Sequence, residues 1–456
     1  MSFCLDWFQN LILSNLIKLL VLLWALFGLQ ATQAQFSGQV LNYNGVRLDQ
    51  PDQLFVGRTS IRSNLTKQWD RFKLHGSFDL QHPYGSQFDT LDVNVRELYV
   101  DLYLDRLDVR LGQQSIARGR AYGSILTDNV SPLDLSEFLT RDLTELRRGL
   151  PAIVARLSVG SHQLEGMVNP IPVKTRLPNR GSSWDFFNQT DWPIPVSYLE
   201  DDLPVQFSSV QWGLQFMWRP SVAVSLDLGA QLWRYPLPAY KKELRMDPRG
   251  MRLELSEHYQ RTPVFTASGD MVLKDGFVLV GELVHYNSRW LDKKTPDLAR
   301  LPAAFFQGTL PPDQAALIVQ GLQDPDGYLV QKPFSIGMLG AEYTSGSTFL
   351  SLQTSSEWVW KHTTQVALPQ WNPSASFLLR NEWLQGTWSV RALSRIGLQE
   401  GDYWVHPELQ WKPKDPVQIA LGSHLFGGSK NATPTVFSFS QYKANSFIYL
   451  RLAHQW

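Results

Sequence analysis

The chain has 456 residues, with 42 Lys+Arg and 42 Asp+Glu, so its formal net charge is zero. This balance excludes a generally basic nucleic-acid binder and an acidic disordered tail protein. The slightly negative mean hydropathy argues against a polytopic helical membrane protein. The length allows two or three ordinary domains or one large barrel. The single cysteine, Cys4, provides neither a disulfide nor a thiolate metal site.

The N-terminal segment has the features of a secretory signal. An apolar run covers 19–29 with Lys18 before it, and small residues of the kind that a signal peptidase reads end at Ala34. The alternative is an uncleaved membrane anchor, but a spanning helix needs about 20 apolar residues and this run is shorter. We therefore predict a signal peptide over 1–34, cleavage after Ala34, and one mature domain over 35–456.

The mature chain alternates apolar and polar residues with a period of two. In one such segment, Phe72 and Leu74 face one way while Arg71 and Lys73 face the other. The same pattern recurs in 207–219, 221–232 and 387–395. Segments of about 10 residues with this alternation are typical of a transmembrane β-barrel. A soluble β-sandwich is the alternative, but it would not usually place Trp at both ends of so many apolar faces.

The links between these segments alternate between short and long. The longest occupy 116–150, 171–206, 235–261 and 289–333. Outer-membrane barrels have tight periplasmic turns and longer extracellular loops, so the alternation indicates this architecture. Counting the links predicts an all-β fold, a transmembrane antiparallel β-barrel of about 18 strands with both termini in the periplasm. Its surroundings would be the lipid of the outer membrane of a Gram-negative-type bacterium.

The last predicted strand ends in an aromatic residue. Ile448, Leu450 and Leu452 lie on its apolar face, and the chain stops at Trp456. Such a strand resembles the recognition signal that the barrel-insertion machinery reads, and closing the sheet would remove an exposed edge. The alternative is an ordinary final edge strand. We expect the insertion machinery to be a partner of this strand.

The link 116–150 is dense in charge and is the third on the long-loop side, where general porins fold a loop inward. Its charged residues are Arg118, Arg120, Asp128, Asp134, Glu137, Arg141, Asp142, Glu145, Arg147 and Arg148. One interpretation is a constriction that sorts solutes by size and electric field. The other is a solvated outer loop whose charges pair with each other. Within it, 136–146 is expected to form a short helix with an apolar stripe.

Charges on the polar strand faces are unevenly distributed. A basic arc is predicted from strands near the two chain ends, which closure brings together: Arg58, Arg62, Arg71, Lys73, Arg380, Arg391, Arg395 and Arg451. The opposite wall is more acidic, with Glu97 and Asp101 followed by Arg110. One hypothesis is a basic ladder along which carboxylates or phosphates pass. The alternative is ordinary hydrated charge paired between strands. Because the summed lumen charge is near zero, the sequence leaves ion selectivity open.

Aromatic residues fall on both strand faces. The outward ones are expected to form girdles at the membrane interfaces. Tyr99, Tyr103, Trp233 and Trp404 point inward, where they would either pack or stack against sugars.

No phosphate-binding loop, metalloprotease motif or nucleophile elbow occurs in the sequence. We therefore predict no catalytic residues, no metal, no cofactor and no enzyme activity. His406 and His424 are both predicted inward on neighbouring strands, but two His residues alone are a weak metal site. A hydrogen-bonding role within the lumen is the better interpretation of this pair.

The segment 107–135, LDVRLGQQSIARGRAYGSILTDNVSPLDL, is similar to the strand-plus-loop of alginate-export-like outer-membrane porins. Gly112-Gln113 matches their Gly-Arg-Gln run loosely, and Arg118-Gly119 stands where they have Trp-Gly. The segments 96–102 and 421–426 also resemble that family. The resemblance implies an 18-stranded channel for an anionic sugar or a small organic solute.

These observations favour a passive outer-membrane channel, monomeric or trimeric, for small hydrophilic solutes that include anions or saccharides. A scaffold or secretion-partner barrel plugged by its loops is the main alternative. A barrel enzyme acting on lipid or surface peptide is the other, but no constellation of catalytic groups supports it.

Overall fold

The computed structural model describes residues 34–84, 91–120, 122, 126–186, 194–200, 203–247, 250–294, 318, 322–429 and 438–456. The predicted signal segment up to residue 33 lies outside the described residues, as does most of the predicted long link 289–333. Cleavage after Ala34 therefore stays a prediction.

Strand is the main secondary structure of the described chain. The strands are β1 Ala34–Arg47, β2 Leu54–Gln68, β3 Phe72–Tyr84, β4 Asp92–Leu104, β5 Leu107–Gln114, β6 Leu150–Val159, β7 His162–Asn169, β8 Val196–Leu199, β9 Gln211–Ser221, β10 Val224–Arg234, β11 Ala239–Asp247, β12 Gly250–His258, β13 Arg261–Val272, β14 Phe277–Asp292, β15 Leu329–Ser345, β16 Thr348–Val359, β17 Trp371–Trp383, β18 Trp388–Gly397, β19 Tyr403–Lys414, β20 Val417–Gly427 and β21 Phe447–Gln455. All but β8, β11 and β12 belong to one 18-stranded sheet whose neighbours pair antiparallel. The predicted all-β barrel is confirmed.

The sheet closes because the first strand pairs with both the second and the last. In the β1–β21 ladder Tyr43 lies opposite Arg451, and in the β1–β2 ladder it lies opposite Arg58. The amides and carbonyls of Gly38 and Trp456 exchange two hydrogen bonds of 3.0 Å each. A closed ring leaves no strand edge whose backbone groups would face lipid unpaired.

The two faces of each barrel strand differ as the alternation predicts. On β9, the outward Trp212, Leu214 and Phe216 are each more than 40% exposed, whereas the intervening Gln211 and Gln215 are buried. Ile448, Leu450 and Leu452 of β21 repeat the exposed set. Because apolar side chains gain by contact with lipid tails, this outward belt is the surface that the bilayer covers.

Outward Trp residues lie near the ends of the strands. Trp388 and Trp411 stack with ring centroids 5.8 Å apart beside the short turns. Trp212 and Trp371 lie at the long-link ends of their strands. The indole ring suits the boundary between hydrocarbon and water, because it is apolar with one polar N–H.

Short turns join the strands at one end of the barrel, and the long links lie at the other. The segment 235–260 contains a hairpin of β11 and β12, and β8 from the preceding link adds to β12 in parallel. This small sheet was not predicted, because its stability depends on a contact between two separate loops. Its apolar cluster contains Ile194, Leu244 and Leu255.

Helix is confined to short segments. The α-helix Leu143–Leu146 lies in the link after β5, and 3-10 turns span Phe207–Ser209 and Phe439–Asn445. Within the described residues no helix has the length and apolar character needed to span a membrane.

Closure depends on a glycine, which suggests a direct test. A Cβ atom on Gly38 would lie 2.3 Å from the Trp456 ring and 2.6 Å from the Arg62 carbonyl oxygen. We expect Gly38→Val to destabilise the barrel by about 1–3 kcal/mol, since overpacking forces backbone shifts. Urea unfolding in lipid vesicles would measure this.

Gly166→Val is the matched control for that substitution. Gly166 is another outward glycine within a strand, and a Cβ atom added to it would lie 3.6 Å from its nearest neighbour, a methyl carbon of Leu214. Equal stability of the two variants would contradict the closure argument.

Candidate functional site

The link between β5 and β6, residues 115–149, folds into the barrel; we call it the inner loop. Its residues contact inward side chains of β7, β14 and β2, namely Glu165, Glu282 and Arg58. These strands lie on different sides of the ring, so the inner loop crosses the interior. The interpretation of 116–150 as a solvated outer loop is therefore wrong.

The first half of the inner loop binds the acidic wall. Arg118 pairs with Glu165 at 2.7 Å, and both side chains are almost fully buried. Arg120 pairs with Asp227 at 2.9 Å and with Asp270 at 3.5 Å. Each cation of this half therefore meets carboxylates from the strands it faces.

Glu282 on β14 holds the backbone of the same half. Its carboxylate accepts hydrogen bonds from the Arg120 amide at 2.7 Å, the Thr127 amide at 3.0 Å and the Thr127 hydroxyl at 2.8 Å. Further along, the indole of Trp233 donates to the Val130 carbonyl at 3.2 Å. Hydrogen bonds to an ionised acceptor are among the stronger ones in proteins, so these contacts position the loop.

The second half of the inner loop binds the basic wall. Glu137 forms an ion pair with Arg58. Asp142 pairs with Arg391 at 2.7 Å and lies 3.8 Å from Arg451. Glu145 is 3.6 Å from Arg62. The acids of this half thus neutralise arginines contributed by strands from both ends of the chain.

The remaining charges of the inner loop pair internally or bind its neighbours. Arg141 lies 3.3 Å from Asp134, and Arg147 forms an ion pair with Asp128. Arg148 donates to the Lys174 carbonyl at 2.9 Å. The loop is therefore charged and inside the barrel, and its charges are paired.

Two carboxyl groups of the inner loop have pKa values shifted in opposite directions. Burial by itself raises the pKa of Asp142, but the guanidinium groups of Arg391 and Arg451 outweigh it and hold the pKa below its ordinary value. Burial dominates at Asp128, whose pKa lies above its ordinary value in spite of Arg147. Asp142 is therefore the firmly ionised member of this pair.

Other predicted wall residues pair between neighbouring strands. Arg62 contacts Asp79 at 2.6 Å, and Arg110 contacts Asp101 at 2.6 Å. Glu97 accepts a hydrogen bond from the Ser115 amide at 3.0 Å, where the inner loop begins.

A few predicted wall cations stand apart from these ion pairs. Lys73, Arg380 and Arg395 are on inward positions by register, and none forms an ion pair with another described residue. Arg71 is the exception to the predicted arc, because it lies exposed in the turn between β2 and β3. The apolar and polar alternation of the sequence continues one residue beyond the start of β3, so the prediction placed Arg71 on the strand although it lies in the turn.

A β-bulge brings in a residue that sequence reasoning missed. The register of β3 with β4 shifts at Ser77, so the β4 residue after Val95 is left unpaired. That residue, Arg96, lies 3.7 Å from Asp79 and donates to the Glu145 carbonyl at 3.3 Å. Strict alternation would point the Arg96 side chain toward lipid. Because Arg96 is the extra residue of the bulge, its guanidinium turns inward instead.

The middle of the inner loop is anchored by aromatic rings. Phe138 stacks on Tyr442 with centroids 4.5 Å apart and on Trp184 at 6.1 Å. Phe138 has a positive φ of 54°, which interrupts the predicted helix 136–146, so only its last turn is helical.

Two of the four predicted inward aromatic residues are packed away from the lumen, whereas Tyr103 is only partly buried. Trp233 and Trp404 are 3% and 5% exposed, so neither offers a free face to a sugar. His406 and His424 stack at 4.0 Å, and His406 hydrogen-bonds the Tyr449 hydroxyl at 2.8 Å. This is the predicted hydrogen-bonding role, and no cluster of metal ligands occurs among the described residues.

A cavity of about 550 Å³ lies between the inner loop and the long links. Leu135 and Leu139 of the inner loop line it on one side. Trp184, Leu237 and Phe439 line it from the long links.

The closed ring and its inner loop define a transmembrane barrel of the porin architecture. The chain belongs to the family described as DUF1302, protein of unknown function, whose model matches residues 34–447. No curated protein matches the chain in sequence. These matches do not confirm the alginate-export-like resemblance.

Several solved structures match the chain over most of its length. OccAB2 of Acinetobacter baumannii is 7% identical, with 93% of this chain and 97% of that chain covered and a TM-score of 0.50. OccAB1 of the same organism is 8% identical, with 92% and 95% covered and a TM-score of 0.49. OccK5 (OpdH) of Pseudomonas aeruginosa is 8% identical, with 93% and 97% covered and a TM-score of 0.49. At such low identity the likeness to OccAB2 concerns the fold alone.

The lowered pKa of Asp142 predicts how the inner loop responds to acid. Because the pKa of Asp142 is lowered in the folded protein, the ionised carboxylate stabilises the loop at any pH above the ordinary pKa of 3.8. This stabilisation is lost as the pH falls from 3.8 through the lowered pKa. A nitroxide label at Leu139→Cys should therefore stay immobile from pH 8 to 5 and become mobile below 3.8. Electron paramagnetic resonance measures the label's mobility.

Two variants separate Asp142 from general acid effects. Asp142→Asn should increase label mobility at pH 7 and reduce the acid transition. Asp108→Asn should leave both unchanged, because Asp108 is inward on β5 but makes no hydrogen bond or ion pair to the inner loop within the described segments. Loosening that starts near pH 6 would contradict the assignment.

Proposed function

We propose that the protein is a passive outer-membrane channel for small hydrophilic solutes, including organic anions. One observation carries the proposal: the inner loop crosses the interior of an 18-stranded barrel and is bound on both sides. Barrels of 16 to 18 strands are wide enough for an aqueous lumen. A loop bound across such a lumen narrows it into a constriction.

The pairing of charges bears on what the constriction selects. The basic ladder proposed from the sequence is largely neutralised, since Arg58, Arg391 and Arg451 are paired with acids of the inner loop. Lys73, Arg380 and Arg395 remain as wall cations without a described ion pair. We infer that the channel sorts solutes mainly by size, with a weak contribution from charge.

Two observations bear on the identity of the solute, namely the family resemblance and the burial of two inward tryptophans. The alginate-export-like resemblance suggests an anionic sugar or a small organic solute. Because Trp233 and Trp404 are buried, we favour a small organic anion over a saccharide.

Export and insertion complete the proposal. The signal 1–34 would direct the chain across the inner membrane and be removed after Ala34. The final strand, ending at Trp456, would be recognised by the insertion machinery. The mature barrel would then work as a monomer or a homotrimer.

Planar-bilayer recording tests the channel directly. The purified full-length mature chain should give a steady, ohmic current in potassium chloride. The alternative of a plugged scaffold or secretion-partner barrel is supported by the dense bonding of the inner loop, and it predicts no steady current. A closed lumen would therefore overturn the proposed function.

Charge variants of the inner loop should move ion selectivity in opposite directions. Neutralising the acids with Glu137→Gln, Asp142→Asn and Glu145→Gln uncovers wall arginines, so the reversal potential should shift toward anion preference. Neutralising Arg118→Gln and Arg120→Gln uncovers wall carboxylates and should favour cations. We expect a change of roughly severalfold in the permeability ratio. Shifts in the same direction would contradict the pairing of the inner-loop charges with the opposite charges of the wall.

A further inference from the structure

The cavity beside the inner loop is more apolar than a passage for sugars or salts requires. Leu135 and Leu139 line it from one side, Trp184 and Leu237 from the long links, and Trp290 from the end of β14. An aqueous pore gains nothing from such side chains, whereas binding pockets for small molecules combine apolar walls with a few polar groups. The wall therefore fits a solute with an apolar body.

One cation in this wall has unused hydrogen-bonding capacity. The guanidinium of Arg289 lies 4.0 Å from the Tyr235 ring and 4.2 Å from the Phe334 ring. Its Nε and Nη1 atoms are buried and have no hydrogen-bond partner within the part of the chain that the structure describes. The side chain as a whole is only partly buried and lines the cavity, and it forms no ion pair with another described residue, so the open part of its guanidinium is available to a bound anion.

The position of Arg289 depends on a local irregularity of its strand. The register between β14 and β15 shifts between Tyr286 and Arg289. Tyr286 faces inward, so unbroken alternation would turn residue 289 toward lipid. The bulge instead aims its side chain at the cavity, and bulges of this kind commonly re-aim a residue beside a functional site.

Most of the other charged groups lining the cavity already have partners. Lys242 pairs with Asp292, and Asp402 accepts hydrogen bonds from the Ser438 hydroxyl at 2.9 Å and the Phe439 amide at 2.6 Å. The Glu357 carboxylate accepts one from Asn372 at 3.0 Å.

The few remaining charged residues that line the cavity do not supply an anionic partner for Arg289. Arg180 lies 3.5 Å from Asp185. Arg395 and Glu400 also line the cavity, and their opposite charges leave its balance unchanged. The clearest unmet requirement of the cavity is thus for an acceptor at Arg289.

We propose that this cavity binds a small amphipathic anion, with its apolar body against the leucine and tryptophan side chains and its carboxylate on Arg289. The inference rests on the proposed channel function and names the class of solute that the channel would take. A fully hydrophilic solute would leave the apolar wall unfilled, and an uncharged apolar one would leave the guanidinium unpaired.

Calorimetric titration of the full-length mature barrel in lipid nanodiscs tests the proposal, with empty nanodiscs correcting for partition into lipid. The probes are 2-naphthoate, 2-naphthylmethanol with the same rings but no carboxylate, and glucuronate with a carboxylate but no apolar body. We expect 2-naphthoate to bind at least about tenfold more tightly than either of the others. Equal affinity for the naphthoate and the alcohol would overturn the proposal.

Arg289→Met should reduce naphthoate affinity to the level of the alcohol. Lys67→Met is the matched control, because Lys67 also places its cation over a ring, that of Trp69 at 5.3 Å, but does not line the cavity. The control should bind as the unmodified protein does. If both variants bind normally, the site is wrong.

The same preparations separate this inference from the channel itself. A steady bilayer current without selective naphthoate binding refutes the binding site and leaves the channel intact. Selective binding without current refutes the channel and leaves the site. Should Arg289→Met fail to assemble, the comparison of the three probes on the unmodified barrel still decides.

Discussion

The structure depends on one constraint: a strand in lipid must have every backbone amide and carbonyl hydrogen-bonded. Only closure of the sheet meets this, and here it is achieved by the pairing of β1 with β21 and the bonds between Gly38 and Trp456. Closing so many strands creates an interior too wide for wall side chains to fill. The inner loop occupies part of that space. Closure by strands at the two chain ends therefore creates the interior that a loop between β5 and β6 partly fills.

Charge determines where the inner loop lies. Its arginines meet wall carboxylates such as Glu165 and Asp227, and its acids meet wall arginines such as Arg58 and Arg391. Ion pairs inside a protein add little net stability, because each charge loses its hydration. A buried charge without a partner is costly, however. Because the inner loop carries its wall-binding arginines in its first half and its wall-binding acids in its second half, the opposite orientation across the lumen would leave these charges unpaired.

Departures from regular alternation occur where the barrel interior needs them. Bulges in β4 and β14 turn Arg96 and Arg289 away from lipid. Arg96 then supports the inner loop through Asp79 and the Glu145 carbonyl, while Arg289 reaches the cavity. A regular sheet would have exposed both guanidinium groups to the membrane, where a charge is expensive.

The sequence by itself determined the strands, their faces and the alternation of short turns with long links, because a pleated strand between lipid and water imposes a period of two. It also placed the charges of the inner loop in one segment and several wall charges on inward strand faces, whereas the role of that segment as a constriction stays a proposal. It did not determine that Arg118 binds Glu165, that bulges re-aim Arg96 and Arg289, or that Arg71 lies in a turn. These depend on contacts between segments far apart in the chain and on single inserted residues, which only the tertiary structure brings into register.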